Sequence, residues 1–288
     1  MNKLDQFLTR AEGLLFRLER ALPGSSPIAP DWHAAAAFRW EHSQRRLCPV
    51  TNFQRIQLAD LLGIDDQKKR IQQNTLQFVK GGTANNVLLS GARGTGKSSL
   101  VKALLNEYAQ VGLRVIQVDK QGLVDLPLIV NLVQDRTERF ILYCDDLSFN
   151  VDEDGYQSLK AALDGDLVAF SDNLLIYATS NRRHLMPDSM ADNLATKYVG
   201  DEIHPAESVE EKVSLSERFG LWISFYPFSQ DEYLAIAARW LQHHGWRGGL
   251  TAEARSAALQ WSLLRGARSG RVACQFARDW CGMHTSVV

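Results

Sequence analysis

The stretch Gly91-Ala92-Arg93-Gly94-Thr95-Gly96-Lys97-Ser98-Ser99 packs three glycines, a lysine and three hydroxyls into nine residues. It fits GxxxxGK[ST], follows the apolar run VLLS and precedes SSLVKALLNEY, whose apolar positions recur at helical spacing. Glycine lets backbone N–H groups turn inward around phosphate oxygens, and the following helix N-terminus adds its partial positive charge. In this pattern Lys97 reaches the β and γ phosphates of a nucleotide, and the Ser98 hydroxyl is a magnesium ligand. A chance Gly-rich turn does not explain a match set between a strand and a helix.

Two further strand ends carry polar groups. FILYCDD is an apolar run that closes in Asp145 and Asp146. A buried strand ending in carboxylates delivers charge to the carboxyl edge of an open α/β sheet, where ligands bind. Asp145 would hold magnesium, directly or through water, and Asp146 would orient or deprotonate an attacking water. Aspartate is one methylene shorter than the glutamate common at the second position, so a weak base and a slow nucleotide switch stay open as an alternative. NLLIYATSN ends in Thr179, Ser180 and Asn181, and the Asn181 amide is placed to hydrogen-bond that water or the γ-phosphate. Arg182 and Arg183, next along the chain, fit pairing with nearby acidic residues better than catalysis.

These groups need a scaffold. Strand-like runs at 85–91, 113–119, 139–148, 173–181 and 221–228 alternate with helical stretches, notably 97–110 and 155–166. That alternation predicts a five-stranded parallel sheet with helices on both faces. After residue 229 only helices are expected, near 230–244, 251–264 and 269–281. Before the sheet, residues 3–22 have the spacing of an amphipathic helix, PGSSPIAP ends it, and DWHAAAAFRWEHSQRR (31–46) reads as a second helix capped by Asp31. Within it Trp32, Trp40, Arg39, Arg45 and Arg46 fit tryptophans in the core and arginines outside better than a base-stacking surface. The expected organisation is a helical extension (1–54), an α/β nucleotide-binding domain (55–229) and a helical lid (230–288).

The 288 residues carry a net charge of −1, which gives no global pull toward nucleic acid or membrane. Residues 1–80 carry +4, residues 230–288 carry +3 and the middle carries −8. Cys48, Cys144, Cys274 and Cys281 form no CxxC pair, which argues against a zinc site or disulfide framework. With no signal-like apolar segment at the N-terminus, a reducing cytoplasm is the expected setting.

GARGTGKSS, FILYCDD, YATSN, SERFG and RSGRVACQFARDW follow one another in an order that resembles the AAA+ ATPases. "NNVLLSGARGTGKSSLVKALL", "CDDLSF", "YATSNRRHL" and "SLSERFGLWISFYPF" are most similar to a bacterial AAA+ group known only as a domain of unknown function. The resemblance spans about residues 55–285. It implies a five-stranded AAA+ core with a helical lid, ATP as nucleotide, and an adenine pocket lined from LLGIDDQKK, including Leu62 and Ile64. It places Lys97 and Ser98 in the first nucleotide motif, Asp145 and Asp146 in the second, and Asn181 at the first sensor. Arg218 falls on the arginine finger, and Arg271 on the second sensor, with Arg268 as the alternative. Residues 120–133 lack the aromatic–glycine pair that grips threaded polypeptide, which speaks against an unfoldase.

The function expected is hydrolysis of ATP with Mg2+ to remodel an unknown client, in a homo-oligomer whose Arg218 acts in trans. A slow or non-hydrolysing ATP-dependent switch or scaffold is one alternative, and a nucleic-acid-associated loader another.

Overall fold

The computed structural model describes residues 27–52, 56–149, 154–164, 172–181, 197–199, 202–204 and 215–284. The expected helix at 3–22, Arg182 and Arg183 lie outside them.

The sheet has seven strands, not five. They are β1 (Ala37–Glu41), β2 (Arg46–Pro49), β3 (Val87–Gly91), β4 (Leu113–Val118), β5 (Arg139–Cys144), β6 (Leu174–Ser180) and β9 (Leu221–Phe225), in the order β2-β1-β4-β5-β6-β3-β9. The five expected strands form the contiguous parallel part, and β1 extends it by pairing parallel to β4. Only β2 runs antiparallel, hairpinned onto β1. Two short strands, β7 (Lys197–Val199) and β8 (Glu202–His204), pair with each other apart from this sheet.

The hairpin replaces the helix expected over 31–46, so the described part of the expected 1–54 helical extension is built into the sheet. Four consecutive alanines favour helix locally. Phe38 and Trp40 are nevertheless both buried with Arg39 exposed between them, the two-residue period of a strand. Pairing against β4 also covers an edge that would otherwise present unpaired backbone groups. Asp31 accepts from the backbone N–H of His33 in a turn rather than capping a helix. Trp32 and Trp40 are in the core, and the indole N–H of Trp40 donates to the buried carboxylate of Asp125 at 2.9 Å.

Helices cover both faces. α1 (Asp65–Val79) and α2 (Lys97–Tyr108) lie with Val87, Leu89, Ile141 and Tyr143 in one hydrophobic cluster. α3 (Leu126–Val133) and α4 (Asp154–Asp164) lie on the opposite face with Leu88, Phe140, Leu142 and Cys144. Alternate residues of each strand therefore feed two separate cores. The C-terminal helices are α5 (Gln230–His243), α6 (Ala252–Leu264) and α7 (Gly270–His284), as expected for the lid. Ser229 and Thr251 cap α5 and α6 by accepting from the N–H of Glu232 and Ala254. No helix among the described residues is long and apolar enough to cross a membrane.

Candidate functional site

The loop between β3 and α2 turns on glycines at positive φ: Gly91 (+126°), Gly94 (+73°) and Gly96 (+99°). At Gly91 the need is also steric, because a Cβ there would sit 2.0 Å from the carbonyl oxygen of Phe225 on β9. At Gly94 a Cβ would meet Ser269 Oγ at 2.8 Å, so glycine lets the lid approach the loop. The Gly270 N–H that opens α7 donates to the Gly94 carbonyl at 2.8 Å. Gly96 is the N-cap of α2 and provides no side-chain cap. The first-turn N–H groups at Lys97, Ser98 and Ser99 thus have no side chain competing for them.

Lys97 is buried, 5% exposed, and its ammonium donates to Gly91 O (2.7 Å), Ala92 O (2.8 Å) and Asn181 Oδ1 (3.2 Å). Burial lowers its pKa to about 8, against the opposing pull of the Asp146 and Asp145 charges. Asn181, just past β6, turns its amide nitrogen to Asp146 Oδ1 at 2.5 Å. One side chain thereby bridges the lysine and the second acid.

Asp145 follows β5 and is fixed through one oxygen. Its Oδ1 accepts from Ser98 Oγ (2.7 Å), Tyr143 OH (2.6 Å) and Thr179 Oγ1 (2.6 Å). Burial by itself would raise the Asp145 pKa. The hydrogen bonds from Thr179, Tyr143 and Ser98 outweigh it and hold the carboxyl below its ordinary value. The result is an ionised carboxylate beside a serine hydroxyl, a pair of hard oxygen donors that suits Mg2+. Asp146 sits at φ +53°, a left-handed conformation that aspartate tolerates better than most residues.

A cleft of about 780 Å³ gathers these groups. That is within the range of small-molecule sites, roughly 300–1,000 Å³. Lys97, Ser98, Ser99, Asp145, Asp146, Asn181 and Arg271 line it, together with Leu62 and Ile64. Ile56, Leu61, Phe228, Ile236 and Trp240 add apolar wall. The cationic lining is Arg93, Lys97, Lys102, Arg271 and Arg278, against Asp60, Asp145 and Asp146, an excess of positive charge suited to a polyphosphate. Of the two lid arginines left open by sequence, Arg271 lines this cleft and Arg268 lines a neighbouring one of about 530 Å³.

Arg218 is not brought to this cleft. It follows a helical turn beginning at Leu215, and its guanidinium pairs with Asp164 at the end of α4.

Sequence reading passed over Tyr143, Lys102, Arg278 and Trp240. Tyr143 carried a usable signal: two residues before Asp145 on a strand, it must point to the same face. Lys102, four residues after Ser98 on a helix, carried the same kind of signal. Arg278 and Trp240 reach the cleft only because the lid folds back over it.

A family profile described as "Protein of unknown function (DUF815)" matches residues 33–284. No curated protein matches the sequence. Among solved structures, the chain is similar to the RuvB Holliday junction branch migration motor of Thermotoga maritima. The identity is 16% and the TM-score 0.50, over 79% of this chain and 66% of that one. A point mutant of the same RuvB gives 15% identity and a TM-score of 0.52 over the same shares. The chain thus spans just under two thirds of the length of these relatives. At this identity the likeness is one of fold alone.

Proposed function

Because the chain belongs to the DUF815 family and has the AAA+ fold, we propose that it binds ATP with Mg2+ and hydrolyses the β–γ bond to drive a conformational change. The observation that carries this reading is the connected network of Lys97, Asn181, Asp146, Asp145 and Ser98 around one cationic cleft.

Each residue has a task that follows from its place. The inward N–H groups after Gly94 and at the start of α2 take phosphate oxygens. Lys97 leaves its loop carbonyls for the β and γ phosphates, whose charge compensates its buried ammonium better than two neutral carbonyls do. Ser98 and Asp145 would hold Mg2+, which supplies charge neutralisation on the phosphates when bound. Asp146 and Asn181 orient the attacking water. Leu62, Ile64 and the apolar wall take the adenine. Arg271, at the start of α7, links the phosphates to the lid, so that binding and release of nucleotide move the lid against the core. Phosphoryl transfer asks the protein mainly for positioning and charge stabilisation, which this set of groups offers.

Arg218, held by Asp164 away from its own cleft, fits a finger offered to the ATP of a second copy in a homo-oligomer. The client of the motion is a protein or nucleic acid.

Steady-state phosphate release tests the reading. Turnover that disappears in Lys97→Ala supports it. Tight ATP binding with no turnover in the wild type would replace it with a nucleotide switch. One observation favours that second reading: the short Asp146 side chain is already engaged by Asn181.

A further inference from the structure

Two side chains that the sequence motifs leave without a role converge on the paired acids. β5 and β6 are adjacent and parallel, with Tyr143 opposite Tyr177 and Cys144 opposite Ala178. This register brings Thr179 beside the turn that follows β5. We propose that Tyr143 and Thr179 are positioning residues that fix the Asp145–Asp146 turn and so set the affinity of the site for metal-bound nucleotide. The inference rests on the Mg2+–ATP reading above.

Thr179 acts on the turn at three points. Its hydroxyl proton goes to Asp145 Oδ1 (2.6 Å), which leaves a lone pair to accept the Asp146 N–H (2.9 Å). Its backbone carbonyl accepts the Leu147 N–H (2.7 Å). Three consecutive residues are thereby tied to one position on the neighbouring strand. The middle one, Asp146, has φ +53°, a conformation that persists in a non-glycine residue only when its surroundings over-determine it. That turn directs the Asp146 carboxylate to Asn181.

Tyr143 acts on Asp145 through its hydroxyl. It is buried, 4% exposed, on a strand whose preceding residues are Phe140, Ile141 and Leu142. Phenylalanine would fill the same space without a polar atom to satisfy. The hydroxyl instead donates to Asp145 Oδ1 at 2.6 Å, beside the donors from Ser98 and Thr179. Both hydroxyls fall on one carboxylate oxygen, so together they select a single rotamer of Asp145. Partners that orient a ligating carboxylate in this way are typically worth ~10–100-fold in metal affinity.

The test is calorimetric titration of the full chain with ATP, once with Mg2+ and once with EDTA. Wild type, Tyr143→Phe, Thr179→Val and Thr179→Ser are compared, with thermal melting as the control for folding. Tyr143→Phe deletes the hydroxyl and Thr179→Val replaces it with a methyl group, so both keep the shape of the side chain. The expected result is unchanged affinity in EDTA, with the Mg2+-dependent gain cut ~10–100-fold in Tyr143→Phe and Thr179→Val and kept in Thr179→Ser. Two results overturn the inference while leaving the nucleotide reading intact. One is a full Mg2+-dependent gain in both hydroxyl-free variants. The other is an equal loss of affinity with and without Mg2+ alongside a lowered melting temperature. A wild-type chain that shows no Mg2+-dependent gain at all overturns the metal assignment and this inference with it.

Discussion

The buried ammonium of Lys97 should leave a signature in the pH dependence of stability. The perturbation is Lys97→Met, which keeps an unbranched chain and removes the charge. In the ligand-free chain burial lowers the Lys97 pKa from 10.5 to about 8. At 1.36 kcal/mol per pH unit, that difference is roughly 3 kcal/mol set against the charged form. The sign follows from proton linkage. Between about pH 8 and 10.5 the unfolded chain holds the Lys97 proton and the folded chain has released it, so unfolding takes up a proton and stability rises with pH. Below pH 8 both states are charged and the folded chain carries the full cost. Integrated from pH 7 to 9.5, the wild type gains about 2 kcal/mol relative to the variant, with the remainder above that range. Urea unfolding of both proteins at half-unit pH steps measures it, and comparing the two curves cancels every other titrating group they share. Parallel curves, within about 0.5 kcal/mol across the window, would show that Lys97 stays charged and that the loop carbonyls and acids fully repay its burial.

Nucleotide binding should reverse this proton release. Phosphates restore the charged lysine, so ATP binding near pH 9 takes up protons in wild type and not in Lys97→Arg, as read by calorimetry in buffers of different ionisation enthalpy. Arg218→Ala should retain ATP binding and lose roughly 10³–10⁵ in turnover. Mixing it with Lys97→Ala chains should restore activity, and no restoration would refute the trans assignment. Arg271→Ala should weaken ATP binding ~10–100-fold, the worth of a charge-assisted hydrogen bond, while Arg268→Ala leaves it nearly unchanged; equal effects would overturn the assignment made from the cleft. Gly91→Ala adds a Cβ 2.0 Å from the Phe225 carbonyl oxygen at φ +126°. It should cost on the order of 2–6 kcal/mol in urea unfolding from overpacking and backbone strain together.

The phosphate loop was legible because its information is local. A lysine and a serine after GxxxxG, with an apolar strand before and a helix after, dictate their own backbone, and the chain runs from β3 through the glycine loop into α2. The five parallel strands were legible for a related reason: each is an apolar run bounded by polar ends. The hairpin at 37–49 was not, because four alanines favour helix and only pairing with β4 tips Phe38 and Trp40 into a strand. The sequence placed Arg271 on the second sensor only through the resemblance, with Arg268 as the alternative. Three residues apart near the start of a helix, they differ only in which side of the phosphate loop the lid presents them to.

The order of the polar groups, Lys97 and Ser98, then Asp145 and Asp146, then Asn181, was set by the chain itself. Lys97 and Ser98 follow a glycine loop after one apolar run, and Asp145 and Asn181 follow the ends of two others, all read within ten residues. That Thr179 holds the Asp145–Asp146 turn, that Tyr143 donates to Asp145, and that Arg218 rests on Asp164 were decided only by the tertiary fold. Thr179 and Asp145 lie 34 residues apart in sequence. They meet because two strands align in one register, and no local pattern encodes which strand will lie beside which.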